Sequence, residues 1–186
     1  MNIDADDFTL LGLPRRFALE RAQLDTAWKA LQAKVHPDRF AAEGGTAQRL
    51  AMQWAVRVNE AHQRLKDPLK RAAYLCELAG AQVQAHDNTA MPGDFLMQQM
   101  TWREALEEAG NAAEVQALSD EVTAQRRVRL ARVGELLDGP GATTDAVAQA
   151  AQAALAAQEV RALMFIDRLL EEVDTRLQRY EDEEGA

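Results

Sequence analysis

His36, Pro37 and Asp38 are the residues in this 186-residue chain whose types and order could do chemistry. A histidine titrates near neutral pH, and a neighbouring carboxylate can orient its ring, which is half of an acid–base device. A working site also needs a third group or a pocket, and the flanking residues offer only Arg39 and Phe40. Pro37 fixes the backbone and ends a helix arriving from its N-terminal side. Two readings stay open on these residues alone: a small helical enzyme using His36 and Asp38, or a polar turn without function. Elsewhere the chain is short of reactive parts. His62 and His86 have no co-ligands in the sequence. The single Cys76, expected to be half-buried near Leu75 and Leu78, excludes a disulfide framework within the chain and a Cys-rich metal or cluster site. Nor is a cofactor expected.

Helices must position the tip. Leu24, Ala27, Trp28, Leu31 and Val35 recur at helical spacing and predict a helix from about Leu19 that stops at His36-Pro37. Thr46, after Gly44-Gly45, is the expected N-cap of a second helix carrying Leu50, Trp54, Val58, Ala61 and Leu65 on one face. The two read as an antiparallel hairpin with residues 36–45 at its end. Asp67-Pro68 interrupts, and a short helix follows to about Leu78, stopped by Gly80. Residues 80–93, with Asp87-Asn88 and Pro92-Gly93, read as a linker.

Three further helices follow. Asp94 is the expected cap of the first, running to Gly110. Asn111 with Glu114 forms a capping-box signal for the second, which reaches Asp138. After Gly139-Pro140-Gly141, Thr143 or Thr144 would cap the third. It carries Leu163, Ile166, Leu170, Val173, Leu177 and Tyr180, and ends in a frayed acidic tail over 181–186. Arg126, Arg127, Arg129 and Arg132 are expected to pair with nearby carboxylates.

Composition agrees with an all-α chain. Alanine supplies 36 residues against 13 for Val and Ile together, too few β-branched residues for an ordinary sheet. No apolar run is long enough to span a membrane, and the acidic N-terminus has no apolar core of a secretory signal, so the expected location is the cytoplasm. Residues 1–80 hold 12 Lys and Arg against 10 Asp and Glu; residues 81–186 hold 9 against 20. A mildly basic half and a strongly acidic half suggest two different partners, neither of them nucleic acid.

The run from Trp28 through Lys29, Lys34 and His36-Pro37-Asp38-Arg39-Phe40 is followed by Asn59-Glu60-Ala61-His62 and Arg71-Ala72-Ala73-Tyr74, and preceded by Asp7-Phe8-Thr9-Leu10-Leu11-Gly12-Leu13. These blocks, over residues 5–76, resemble the J domain, by which co-chaperones engage a DnaK-type chaperone ATPase. The resemblance implies that His36, Pro37 and Asp38 dock on the chaperone and trigger ATP hydrolysis there, with Lys29, Lys34 and Arg39 as supporting cations. Asp25, Thr26 and Ala30 thin the basic face usual for such domains, and Lys29 and Lys34 could also be no more than solvated charges.

Asp94-Phe95-Leu96-Met97 through Met100-Thr101-Trp102-Arg103-Glu104 and Arg161-Ala162-Leu163-Met164-Phe165 extend the resemblance to nearly the whole chain. They are similar to the HscB family, co-chaperones of iron–sulfur cluster biogenesis. That implies a J domain over 1–79 and a three-helix bundle over 94–180. Through Leu96, Met97, Met100, Glu104, Glu108 and Phe165 the bundle would bind the cluster scaffold IscU, which the chain would deliver to the chaperone HscA. Thr101 stands where an acidic residue is common. A J-domain adapter for another client is the nearest alternative. Helical projection places Phe95, Trp102, Leu106 and Ala109 on one face, with Leu96, Met97 and Met100 on another and Phe165 about 110° off its own helix's apolar stripe. A helix lodged between two neighbours would also bury two faces, and periodicity alone does not choose.

Overall fold

The computed structural model describes residues 2–40, 44–83, 91–139 and 146–184, and among them every regular element is helical. Two compact units, Met1–Leu75 and Cys76–Ala186, divide the chain.

In the first unit, α1 (Asp7–Leu11) is short because Asp6 and Gly12 close it at both ends. The Asp6 carboxylate accepts from the Phe8 and Thr9 amides, and Gly12 adopts φ 67°, where a side chain would be strained. Helices α2 (Arg21–Val35) and α3 (Gly45–Lys66) form the expected hairpin. Phe8, Leu11, Leu24, Val35, Val58, Ala61 and Leu65 are buried together as its core. Polar contacts fix the register between α2 and α3. The Trp28 indole donates to Asn59 Oδ1 at 3.0 Å, and His62 Nε2 lies 2.8 Å from Asp25 Oδ1 with its ring stacked on Trp28. Thus His62 is structural. Asp7 is fully buried, its carboxylate between Arg57 at 2.7 Å and Arg64 at 3.0 Å, while its amide donates to the Tyr74 hydroxyl. Helix α4 (Pro68–Leu78) starts at Pro68 because Asp67 caps the Leu69 and Lys70 amides and proline needs no partner there.

Two expectations fail in this unit. Gly44, not Thr46, occupies the N-cap of α3, and the Thr46 hydroxyl accepts weakly from Arg49 instead. Leu50 is exposed, and Ala51, one position on, takes the buried place.

The second unit is an up-down-up bundle of α5 (Gly93–Glu108), α6 (Ala112–Asp138) and α7 (Ala146–Glu184). Its core joins Phe95, Trp102 and Ala109 to Val115, Leu118 and Val122 and to Ala162, Ile166, Leu169 and Val173. The α5–α6 corner follows the sequence signal. Asn111 Oδ1 accepts from the Glu114 amide at 3.0 Å, and Glu114 reaches back to the Gly110 amide at 2.8 Å. Arg126 pairs with Asp167, Arg129 with Glu159 and Arg132 with Glu135, as expected of three of that arginine cluster.

Asp94 is not the cap of α5. Pro92 holds that position, and the Asp94 carboxylate points to Arg129 at 3.4 Å. Nor does the acidic end fray: α7 continues to Glu184. Tyr180 Oη donates to the Ala109 carbonyl and Arg176 donates to the same oxygen, anchoring the helix one turn before its acidic end. Cys76 is fully buried rather than half-buried, and burial pushes its thiol up to about 12. Asp87-Asn88, His86, Pro140-Gly141, Thr143 and Thr144 lie outside the described residues.

Candidate partner-binding surfaces

The tip of the first unit is built by helix termination. His36 leaves α2 in an extended conformation, as a residue before proline must, and Pro37–Phe40 forms one 3-10 turn. The Arg39 amide donates to the His36 carbonyl at 3.1 Å, and the Arg39 guanidinium donates to the Ala33 carbonyl at 3.0 Å. Arg39 therefore closes the C-terminus of α2 and holds the turn against it. The Asp38 amide donates to His36 Nδ1 at 3.3 Å, and the two side chains are 3.6 Å apart. Both are open to water, 55% exposed for His36 and 88% for Asp38. An imidazole and a carboxylate displayed this way suit recognition by a partner's donors, because no described residue near them excludes water from a reaction. Lys29 and Lys34 are exposed on α2 as well.

Beside the tip lies a groove of about 360 Å³, which the sequence did not disclose. Lys34, Val35, Phe40, Ala47, Leu50, Ala51 and Trp54 line it. Leu50, exposed instead of buried, is one of its walls, and a core assignment for Leu50 hid that signal.

Helix α5 carries the second surface. Phe95 and Trp102 are buried, with the Trp102 indole donating to Glu121 Oε1 at 2.8 Å. Leu96, Met97 and Met100 are 47%, 73% and 59% exposed, a bare apolar strip on the side away from that core. Glu104 and Glu108 extend the strip as exposed carboxylates, and Thr101 is exposed with its hydroxyl turned back toward the Met97 carbonyl. The structure thus brings Leu96, Met97, Met100, Glu104 and Glu108 together.

Phe165 is placed differently from the sequence expectation. It is half-buried, packs against the core of the bundle, and meets Phe95 edge-to-face with ring centroids 5.6 Å apart. Helix α7 is gripped by α5 on one side and α6 on another, so its buried arc is wider than one stripe. Arg103 and Glu172, overlooked in the sequence, complete this corner. The Arg103 guanidinium lies over the Phe165 ring at 5.4 Å and pairs with Glu172 at 3.4 Å. Arg103 follows Leu96 by seven residues and Met100 by three, so helical spacing alone would have placed it beside the strip.

Among the described residues no three His, Cys, Asp or Glu side chains are grouped to hold a metal ion, and no helix is long and apolar enough to cross a membrane.

Residues 91–174 match the family model described as the HSCB C-terminal oligomerisation domain. A protein of Burkholderia thailandensis named as a co-chaperone protein HscB homolog is 49% identical over 177 residues, covering 94% of this chain and 95% of its own. A Paraburkholderia phytofirmans protein of the same name is 47% identical over 184 residues, covering 97% and 99%. Among solved structures, chaperone HscB from Vibrio cholerae superposes with a TM-score of 0.71 at 35% identity over 94% of this chain and 99% of that one. The human co-chaperone protein HscB shares the fold, with a TM-score of 0.77 over 95% of this chain and 84% of that one, at 23% identity.

Proposed function

Because the chain belongs to the HscB family of co-chaperones, we propose that it carries an iron–sulfur cluster scaffold of the IscU class to a DnaK-type chaperone of the HscA class in the cytoplasm and stimulates that chaperone's ATPase. Cluster transfer and maturation of iron–sulfur proteins would follow. A co-chaperone is not an enzyme, so His36 and Asp38 carry no bond-making role here. The observation that carries the reading is the strip of Leu96, Met97 and Met100, left bare on a helix that buries Phe95 and Trp102. Exposed contiguous apolar side chains of this kind mark a surface that a partner covers, and flexible methionines adapt to its shape. Glu104 and Glu108 at its edge favour a partner with facing cations.

The J-domain tip would act on the chaperone. Asp38 is an acceptor-only carboxylate suited to a guanidinium, and Pro37 with the Arg39–Ala33 bond presets the turn before docking. The co-chaperone then works by binding one conformation of the chaperone better than another. Lys29 and Lys34 would steer the encounter.

The test is the steady-state ATPase rate of an HscA-class chaperone with the full chain, with and without apo IscU-class scaffold. His36→Gln should abolish stimulation in both conditions while leaving helicity unchanged. Leu96→Ala with Met100→Ala should keep the stimulation given by the co-chaperone alone and lose the extra stimulation brought by the scaffold. Full activity of the first variant would remove the tip from the mechanism; full synergy in the second would move the client site off α5.

A further inference from the structure

Four side chains from three helices stack from the interior of the bundle to the edge of the bare strip. Arg129, almost entirely buried on α6, lies over the Phe95 ring at 4.5 Å. Phe95 meets Phe165 edge-to-face at 5.6 Å. Arg103 covers Phe165 at 5.4 Å from the outside, and Glu172, two turns beyond Phe165 on α7, holds the guanidinium at 3.4 and 3.5 Å. Arg129 is itself fixed by Glu159 at 2.8 Å and by Asp94. Arg129 and Phe95 are buried and have little freedom, whereas Phe165 is half-buried. Arg103 and Glu172 are each about half exposed, so the outer closure of the stack is the part that a partner or a substitution can reach.

We propose that Arg103, held by Glu172, is a positioning residue of the client surface: it clasps the Phe165 ring in the orientation the scaffold meets. This rests on the reading of α5 as the client site. The physical grounds are threefold. A guanidinium over an aromatic face is attracted by the ring quadrupole and stacks flat on it, which restrains ring rotation. Surface ion pairs contribute little to stability, so the Arg103–Glu172 pair matters through geometry rather than through the fold. Arg103 also has Glu104, Glu107 and Glu108 near it along its own helix, so its charge meets carboxylates on α5 as well as Glu172 on α7. Engaged with the ring and with Glu172, it is turned inward rather than offered to the partner as a free charge.

The test is calorimetric titration of purified apo IscU-class scaffold into the full chain and its Arg103→Ala, Phe165→Ala and double variants, with Leu96→Ala as reference. Arg103→Ala should weaken binding about two- to fivefold, the span of an exposed cation–ring contact, with helicity and unfolding midpoint unchanged. In the Phe165→Ala background the same substitution should cost nothing further, because Arg103 then has no ring to place. A purely structural role for Arg103 would move the midpoint and leave no such coupling. Wild-type affinity in Arg103→Ala, with Leu96→Ala weakened, overturns the clasp and leaves the client site standing. A loss that persists in the Phe165→Ala background overturns it too, since Arg103 would then touch the scaffold directly. Wild-type affinity in Leu96→Ala removes the client site and this inference with it.

Discussion

Trp102 and the Leu96–Met100 pair sit on one helix with opposite environments, and their substitutions should separate stability from binding. Trp102 is 1% exposed, meets Phe95 edge-to-face at 6.0 Å, and donates its indole hydrogen to Glu121. Trp102→Ala removes a buried bicyclic ring and should cost about 3–5 kcal/mol. Glu121 is exposed, so its carboxylate regains water and adds no further penalty. Leu96→Ala with Met100→Ala removes side chains already half in water and should cost no more than about 0.5 kcal/mol each. For a unit of this size, a urea slope of about 1.5 kcal/mol per molar turns the tryptophan loss into a midpoint shift of roughly 2–3 M. The assay is urea unfolding followed by circular dichroism and by fluorescence. Trp28 and Trp54 both lie in the first unit, so in Trp102→Ala the remaining fluorescence reports that unit alone. The dichroism transition of the bundle should move while the fluorescence transition stays. Equal midpoint shifts in Trp102→Ala and in the strip variant would refute the assignment of the two faces. Phe165 belongs with neither set: being half-buried against Phe95, its truncation should lower both the bundle's midpoint and the scaffold affinity.

Acid should loosen the start of α1. Burial pushes the Asp6 carboxyl up, but hydrogen bonds from Arg15 and Thr9 outweigh it and hold the group at about 2. A carboxyl depressed in the folded state stabilises above its unfolded value and loses that contribution as pH falls toward 2. Wild-type stability should therefore decline between about pH 4 and pH 2, and Asp6→Ala should flatten that part of the urea-midpoint profile and cost about 1 kcal/mol at neutral pH through the lost cap. Cys76, fully buried with its thiol pushed up to about 12, should resist a thiol-specific disulfide reagent at pH 8 and react only as fast as the chain opens; rapid stoichiometric labelling of the native protein would contradict its burial.

Local signals transferred well from sequence to structure. His36-Pro37 ends α2, Asn111 with Glu114 opens α6, and Asp67-Pro68 separates α3 from α4, because each depends on backbone chemistry within three or four residues. What failed depended on packing from a distance. Leu50 looked like core because it is large and correctly spaced, yet the smaller Ala51 lies buried in its stead. Cys76 looked half-buried on a short amphipathic helix, but Val83 is buried as well, and Arg161, 85 positions further on, donates to the Gln82 carbonyl. The acidic end of α7 should fray by its own charges against the helix dipole. Arg176 and Tyr180 hold it through the Ala109 carbonyl, a contact across 71 positions that no window of sequence contains. On α5, Leu96, Met97 and Met100 were legible because, among the described residues, they stay exposed on the face opposite the buried Trp102. Phe165 was misplaced because a helix with two neighbours buries more than one stripe.

The proposed roles ask different things of the two surfaces, and their chemistry differs accordingly. His36 and Asp38 at the tip are polar and wet, with the apolar groove set beside them, so the contacts they make should be brief and sensitive to salt. The α5 strip offers three bare apolar side chains with carboxylates only at its edge, so apolar burial carries more of its affinity, which favours a longer-lived complex. Under the proposed roles, that difference would favour capture of the client before engagement of the chaperone. On that reading, once the scaffold is held, one chain would carry it to the chaperone, and the second encounter would be one between tethered partners at raised effective concentration. On this argument a salt titration should distinguish the two steps. Raising ionic strength should weaken stimulation of the chaperone well before it weakens scaffold binding, and a scaffold complex that dissolved first would place the electrostatic contact on α5 instead of the tip.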